Sequence, residues 1–421
     1  MKSRAPDNPI SRFLRKLGPG LITGAADDDP SGIATYSVAG AQQGSALLWT
    51  ALVTWPLMGA VQMMCARIGM VTGRGLAGTL RTKFPRHLVF IATAALFAAN
   101  TINIGADLSG MADSVEMLAG FNSRWIAPLL GIAITAASIW CRYDQIARVL
   151  KWLALALLAY VITGILIHPP WPQVLWKTFI PTWPNSHERW GMLVAILGTT
   201  ISPYLFFWQS SSEVEEEKAK GRKKIADRRG ATSGEIEDRK LDVGTGTFAS
   251  NAVMYFIILT TAYTLHRNGV TQIETSRQAA EALRPLAGNF AAFLFAAGVI
   301  GTGFLAIPTL AGSAAYAFAE TFAWRQGLDE TLPRARAFYA VFAASMAIAI
   351  GLDFLKISPI KALYWTAIIN GLLAPPLLLG ILSVACERSI MQHQPSSALN
   401  CFTVGVATAL MFGAAIGMFV F

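Results

Sequence analysis

Charge is what this chain has least of. Lys, Arg, Asp and Glu make up 14% of its 421 residues, against about a quarter in an ordinary soluble domain. With 54% apolar residues, that shortage argues against a soluble globule and for a multi-span membrane protein. Histidine is rare: His87, His168, His187, His266 and His393 all fall at segment ends or in loops. None is placed to ligate an ion at mid-membrane. The four cysteines, Cys65, Cys141, Cys386 and Cys401, lack metal or redox spacing. They are expected to be small apolar fillers of helices. There is no nucleophile–base set and no nucleotide loop, so neither an enzyme nor a cofactor is expected. The net charge of +9 sits in loops between apolar runs, so topology explains it better than nucleic acid does.

Long apolar runs are what the chain does have. Eleven spanning segments are expected, at about 17–43, 46–71, 87–118, 124–141, 146–168, 189–214, 242–265, 289–323, 335–353, 358–385 and 398–420. The first follows Lys2, Arg4, Arg12, Arg15 and Lys16 as a signal sequence would. It has no small-residue cleavage pattern and many spans follow it, so it is expected to stay. The organisation is a 1–16 N-terminal segment, five spans over 17–168, five over 189–385 with a loop at 213–240, and a last helix at 398–420. That loop mixes both charge signs with Gly221, Gly230 and Gly234, and reads as a solvated connector. Residues 271–286 read as a short amphipathic helix outside the membrane.

Basic residues set the orientation. Arg74, Arg81, Lys83 and Arg86, then Arg142, Arg148 and Lys151, then Lys218 to Lys240, then Arg325, Arg334 and Arg336 fall in alternate loops. Arg267, Arg277 and Arg284 run against the pattern. The expectation is an inner-membrane protein with its N-terminus cytoplasmic and its C-terminus outside, working as a monomer.

Two segments carry breaks. The first contains Asp27-Asp28-Asp29-Pro30-Ser31-Gly32, three carboxylates and a proline where hydrocarbon should be. A charge there costs a few kcal/mol, and proline blocks a helical hydrogen bond while pushing Asp29 out of the α conformation. The sixth contains Thr199-Thr200-Ile201-Ser202-Pro203-Tyr204. Five spans per half is an odd number, so the halves have opposite orientations. Paired breaks at matching positions point to a transporter's substrate site. The third segment carries Asn100, Asn103, Asp107, Asp113 and Glu116. Asp107, near mid-span, reads as an ion or proton route or as a hydrogen-bonded structural acid. Asp113 and Glu116 are expected to meet water. Asn370, beside Gly371 and before Pro375-Pro376, could reach the pathway or bond across helices.

These features together resemble the natural resistance-associated macrophage protein (Nramp) family, over nearly the whole chain. The resemblance implies an all-α integral membrane fold of about 11 transmembrane helices. It would be a leucine-transporter-like inverted five-helix repeat with broken helices 1 and 6. It also implies alternating access, commonly with proton symport of manganese or iron. The family's Asp-Pro-Gly-Asn is here Asp29-Pro30-Ser31-Gly32, so the acid stays and the asparagine becomes Gly32. Its Met-Pro-His is here Ser202-Pro203-Tyr204, with Thr199 at the alanine whose carbonyl is a ligand. A later family histidine matches Gln209, Asp107 matches a family acid, and the glutamate after it falls at Gly110. The pattern looks more like the divergent branch that includes magnesium transporters.

The candidate ligands are all oxygen: Asp29, Asp28, the hydroxyls of Ser202 and Thr199, and carbonyls freed at the break, with Ala26 and Gly32 in the same shell. Asp27, Asp107, Gln209 and Asn370 are candidates for the route, and the pair Asp27 and Asp28 is expected to charge a vestibule. Oxygen-only sites suit hard cations such as magnesium or manganese. The expectation is a divalent-cation transporter. Loss of the histidine and glutamate weighs against proton coupling, although Asp29 and Asp107 can carry a proton. The alternative is an organic, cationic solute on the same scaffold, which the aromatic run Tyr204, Phe206, Phe207 and Trp208 allows. A non-transporting sensor lacks an output domain beyond 213–240.

Overall fold

The computed structural model describes residues 18–120, 122–140, 155–328, 330–355 and 357–421. The 1–16 segment with its basic residues, Cys141, and the basic positions 142, 148 and 151 lie outside the described residues. Among the described residues every regular element is helical. Eight helical stretches are long and apolar enough to cross a membrane, and Trp125–Trp140 is a shorter apolar helix. The fifth expected span lies partly outside the described residues.

The first span is broken into α1 (Pro19–Asp27) and α2 (Pro30–Gln43). Then come α3 (Leu48–Thr72), α4 (Arg86–Ala119), α5 (Ser123–Trp140) and α6 (Leu158–Leu166). A short helix, α7 (Trp171–Phe179), leads to the second half. That half also opens on a broken span, α8 (His187–Thr200) and α9 (Pro203–Ala219). The remainder is α10 (Ser233–Thr264), α11 (Ala291–Phe322), α12 (Arg336–Asp353), α13 (Pro359–Ala385) and α14 (Ala398–Val420).

The two broken spans lie side by side at the centre. α1 packs on α9 and α10, α2 on α8, α10 and α13, and α4 closes one flank against α11, α12 and α13. Bare backbone makes these approaches possible. A Cβ on Gly24 would stand 2.5 Å from the Gly246 carbonyl carbon. Gly198 and Gly371 likewise press α8 onto α13. Glycine and other small residues are how membrane helices gain close van der Waals contact without a hydrophobic drive.

Several expectations need correction. Cys386 and Cys401 are not isolated fillers but are bonded to each other, 15 residues apart. The segment between α13 and α14 folds back, with Ser396 N donating to Ala385 O at 2.9 Å, and so brings the two helix ends together. Cys65 is a buried filler as expected. The helix expected from about 242 starts at Ser233, because Thr232 and Glu235 form a capping box. α9 likewise continues to Ala219, so the charges of 213–240 lie largely on helices. Asp113 and Glu116 are half-exposed and also cap neighbours: Asp113 accepts from Ser276 N (3.1 Å) and Glu116 from Ser123 N (2.8 Å). In place of one short helix over 271–286, residues 276–287 form successive short helical turns, with Ala279, Ala280 and Leu283 buried.

Candidate functional site

Each break is made by a proline at the first helical position, where the missing N–H costs nothing. In the first span, Asp28 and Asp29 leave the helical region, and Asp29 caps α2 by accepting from Gly32 N at 2.6 Å. In the second, Ile201 and Ser202 are non-helical before Pro203. The C-terminal ends of α1 and α8 therefore meet the N-terminal ends of α2 and α9 in the protein's interior. Helix C-termini carry partial negative charge that favours a cation, and an N-terminus steadies a carboxylate such as Asp29.

Gly32 shows how close the breaks are. A Cβ there would lie 3.3 Å from Asp27 O, 3.3 Å from Thr199 Oγ1 and 3.4 Å from Asp29 Oδ1. Three oxygens from both broken helices thus surround the place where a side chain is missing. Asp29 is 2% exposed. Its Oδ2 accepts from Asn103 Nδ2 at 3.1 Å, and the same amide reaches Asp107 Oδ2 at 3.2 Å. Asp107 Oδ1 and Asn103 Oδ1 are buried without hydrogen-bond partners. Among the described residues, no three His, Cys, Asp or Glu side chains converge to hold one ion. A cation here would be held by one carboxylate and neutral oxygens, which is hard-ion chemistry.

The other expected residues fall as follows. Ser202 Oγ turns back onto the last turn of α8, donating to Gly198 O (2.9 Å) and Thr199 O (2.6 Å). The Thr199 oxygen that faces the Gly32 position is its hydroxyl, while its carbonyl accepts from Ser202. The Ala26 carbonyl accepts from Tyr204 Oη at 2.8 Å. Asp27 and Asp28 do not line an open vestibule. Both are buried, and Ser250 Oγ on α10 reaches them at 2.8 and 3.2 Å. Asp27 Oδ1 has no hydrogen-bond partner. Gln209 lies further along α9 and donates to Glu213 Oε1 at 2.7 Å. Asn370 is buried in α13, but its Oδ1 lacks the expected interhelical bond.

Sequence reading missed Asn103, Tyr204 and Ser250 as parts of the site. Asn103 was legible, because it stands four residues before Asp107 on one helix face. Ser250 carried no local signal. Tyr36 is a further addition: its hydroxyl meets Thr200 Oγ1 at 3.2 Å, joining α2 to α8 beyond the break. Ser31 ties α2 to α13, donating to Leu363 O at 2.9 Å. Past these contacts a cavity of about 410 Å³ is lined by Gln42, Gln43, His187, Glu188 and Tyr364, among others.

Comparison with known proteins places the chain. The family model described as "Natural resistance-associated macrophage protein-like" matches residues 20–421. The protein named divalent metal cation transporter MntH of Yersinia enterocolitica is 30% identical over 326 residues, covering 74% of this chain and 76% of that protein. Its namesake in Caldanaerobacter subterraneus is 25% identical over 392 residues, covering 91% and 87%. The crystal structure of the Eremococcus coleocola manganese transporter, in complex with an aromatic bis-isothiourea substituted compound, shares the fold. Its TM-score is 0.73 at 17% identity, covering 99% of this chain and 90% of that one. The nucleobase-cation-symport-1 family transporter MHP1, in a closed conformation, shares it more loosely, with a TM-score of 0.52 at 13% identity, covering 96% and 92%. With its paired helix breaks, its acid-proline motif and a family match over nearly its whole length, this chain belongs to the Nramp family.

Proposed function

We propose that this protein carries a divalent metal cation across the inner membrane by alternating access, with Asp29 as its charged ligand. The observation that carries the reading is the oxygen cluster around Gly32, where Asp29, Thr199 and the Asp27 carbonyl come together from two broken helices. The relatives named as divalent metal cation transporters support the substrate class. The chemistry favours the hard end of that class, magnesium or manganese. Magnesium keeps several waters and takes few direct protein ligands. Gly32 adds no side-chain ligand that would replace one of those waters, and the oxygen cluster around it holds no thioether or imidazole to select a softer ion.

Asp29 is buried, with the Tyr36–Thr200 contact on one side of it and α1 lying against α10 on the other. A site buried in this way supports a reading in which it opens to one face at a time. The loop-borne cations Arg74, Lys83, Lys223, Lys224 and Arg229 support a cytoplasmic N-terminus and an outer C-terminus. Lys83 Nζ bonds Glu387 at 2.6 Å, which places the α13–α14 connection on the same face. The ammonium also holds that carboxyl below its usual range. The membrane potential supplies a drive without protons, roughly 2.3 kcal/mol per charge per 100 mV. Asp29 and Asp107, joined through Asn103, remain a pair that could pass a proton.

The test is flux in proteoliposomes with a series of divalent ions, amines as competitors and an internal pH dye. Asp29→Ala should abolish uptake of magnesium and manganese. Normal flux of both in that variant would overturn the assignment, and competition by amines instead of metals would favour an organic cation.

A further inference from the structure

We infer that Asp242 and Arg239 on α10 form the latch that holds α1 across the exit on the N-terminal side. Asp242 belongs to α10, yet it caps α1. Its Oδ1 accepts from Gly18 N (2.8 Å) and Leu21 N (3.0 Å), and its Oδ2 from Gly20 N (2.7 Å). One carboxylate thereby satisfies three of the amides that the start of a helix leaves without intrahelical partners. Arg239 Nη1 holds Asp242 Oδ2 at 2.6 Å, while its Nε reaches Glu213 on α9 at 2.8 Å and its Nη2 pairs with Glu216. Arg239 and Glu213 are buried, and Asp242 is fully so. The movable half of the first span is thus tied to α10 directly and to α9 through one guanidinium.

At Gly20, Gly24 and Gly246 the seam below the latch is backbone against backbone. A Cβ on Gly20 would stand 2.7 Å from Val243 N, and one on Gly24 would meet Gly246. Small residues at this spacing let backbones touch without interlocking. The charged contacts at the end of α1 add to this close-packed seam, and they are the part of it that can be exchanged for water. Behind the seam lie Ser250, Asp27 and Asp28, on the way to Asp29. Opening this side requires Asp242 to release the three amides. Asp242 is accordingly a positioning residue: it touches no cargo and sets which side of the membrane the site faces.

The test is alkylation of Ser250→Cys by a membrane-impermeant maleimide, added to the face that carries residues 220–232 and read by peptide mass spectrometry. Ser250 is 2% exposed in the latched structure. Asp242→Ala should raise the labelling rate at least tenfold, and the isosteric Asp242→Asn, which keeps an acceptor and loses the charge, should fall between. Without Ser250→Cys, loosening the latch should raise the apparent KM for external magnesium several-fold without a proportional loss of maximal rate. A merely structural role would lower the maximal rate alone. Labelling of Asp242→Asn within twofold of the parent, in protein that elutes as a folded species, overturns the latch even where Asp242→Ala cannot be recovered. The KM arm rests on the transport proposal and the labelling arm does not. Absence of flux in the parent would thus remove the function and leave the latch standing.

Discussion

Filling the gap at Gly32 tests the site's design most directly. Gly32→Asn restores the side chain that related transporters carry in this motif, in a helix turn where its own N–H still bonds Asp29. The added Cβ would sit 3.3 Å from two oxygens and 3.4 Å from a third, close enough that neighbours must yield by tenths of an ångström. Overpacking of this kind costs about 1–3 kcal/mol. If that cost falls on the loaded state, affinity drops about 5- to 150-fold, at 1.4 kcal/mol per tenfold. The cost should not fall equally on all ions. Magnesium holds its waters and needs the space, whereas manganese can exchange a water for the new amide oxygen. The expected outcome is a magnesium KM raised at least fivefold with the manganese KM changed much less. Gly32→Ala, which adds bulk without a ligand, should weaken both. The assay is initial-rate flux in proteoliposomes over a concentration series. An unchanged magnesium-to-manganese ratio in Gly32→Asn would refute the argument that the missing side chain makes room for a hydrated ion.

Asn103→Ala removes the one amide shared by Asp29 and Asp107, and bonds to charged groups contribute about 1.5–3 kcal/mol each. Melting of the purified protein should fall by several degrees without divalent ion and recover when magnesium is added; equal loss with and without the ion would contradict that. Tyr204→Phe frees the Ala26 carbonyl from a 2.8 Å bond, a change of about 0.5–1.5 kcal/mol. The released oxygen should tighten cargo binding, lowering KM and maximal rate together by about two- to tenfold. A raised KM would show that the hydroxyl supports the site and does not compete with it.

The two helix breaks were legible because each proline interrupts the hydrogen-bond ladder next to acids or hydroxyls at membrane depth, where a plain apolar kink would carry neither. The earlier start of α10 was equally open to reading, since Thr232-Ser233-Gly234-Glu235 spells a capping box. Asn103 was legible from its spacing to Asp107. What could not be read was decided by partners far along the chain. Ser250 meets Asp27 across 223 positions, and Asp242 meets Gly20 across 222. No local pattern marks such pairs. Ser202 looked like a ligand because it sits in the break, yet a serine there can also bond the preceding turn, and it does so. Cys386 and Cys401 looked unrelated because the fold-back that joins them depends on Ser396 reaching Ala385.

On the proposed reading Asp29 does two jobs at once: it caps α2 and faces the cargo. When the cargo leaves, the carboxylate keeps the Gly32 amide and the Asn103 amide as partners. The unloaded protein therefore carries a counterweight to its own charge through the return stroke. A bare acid in hydrocarbon would have to pick up a proton or stay filled before it could reset; this one is already half clothed. If Asp29 is the ligand we propose, that arrangement favours an unloaded return, and with it net movement over one-for-one exchange.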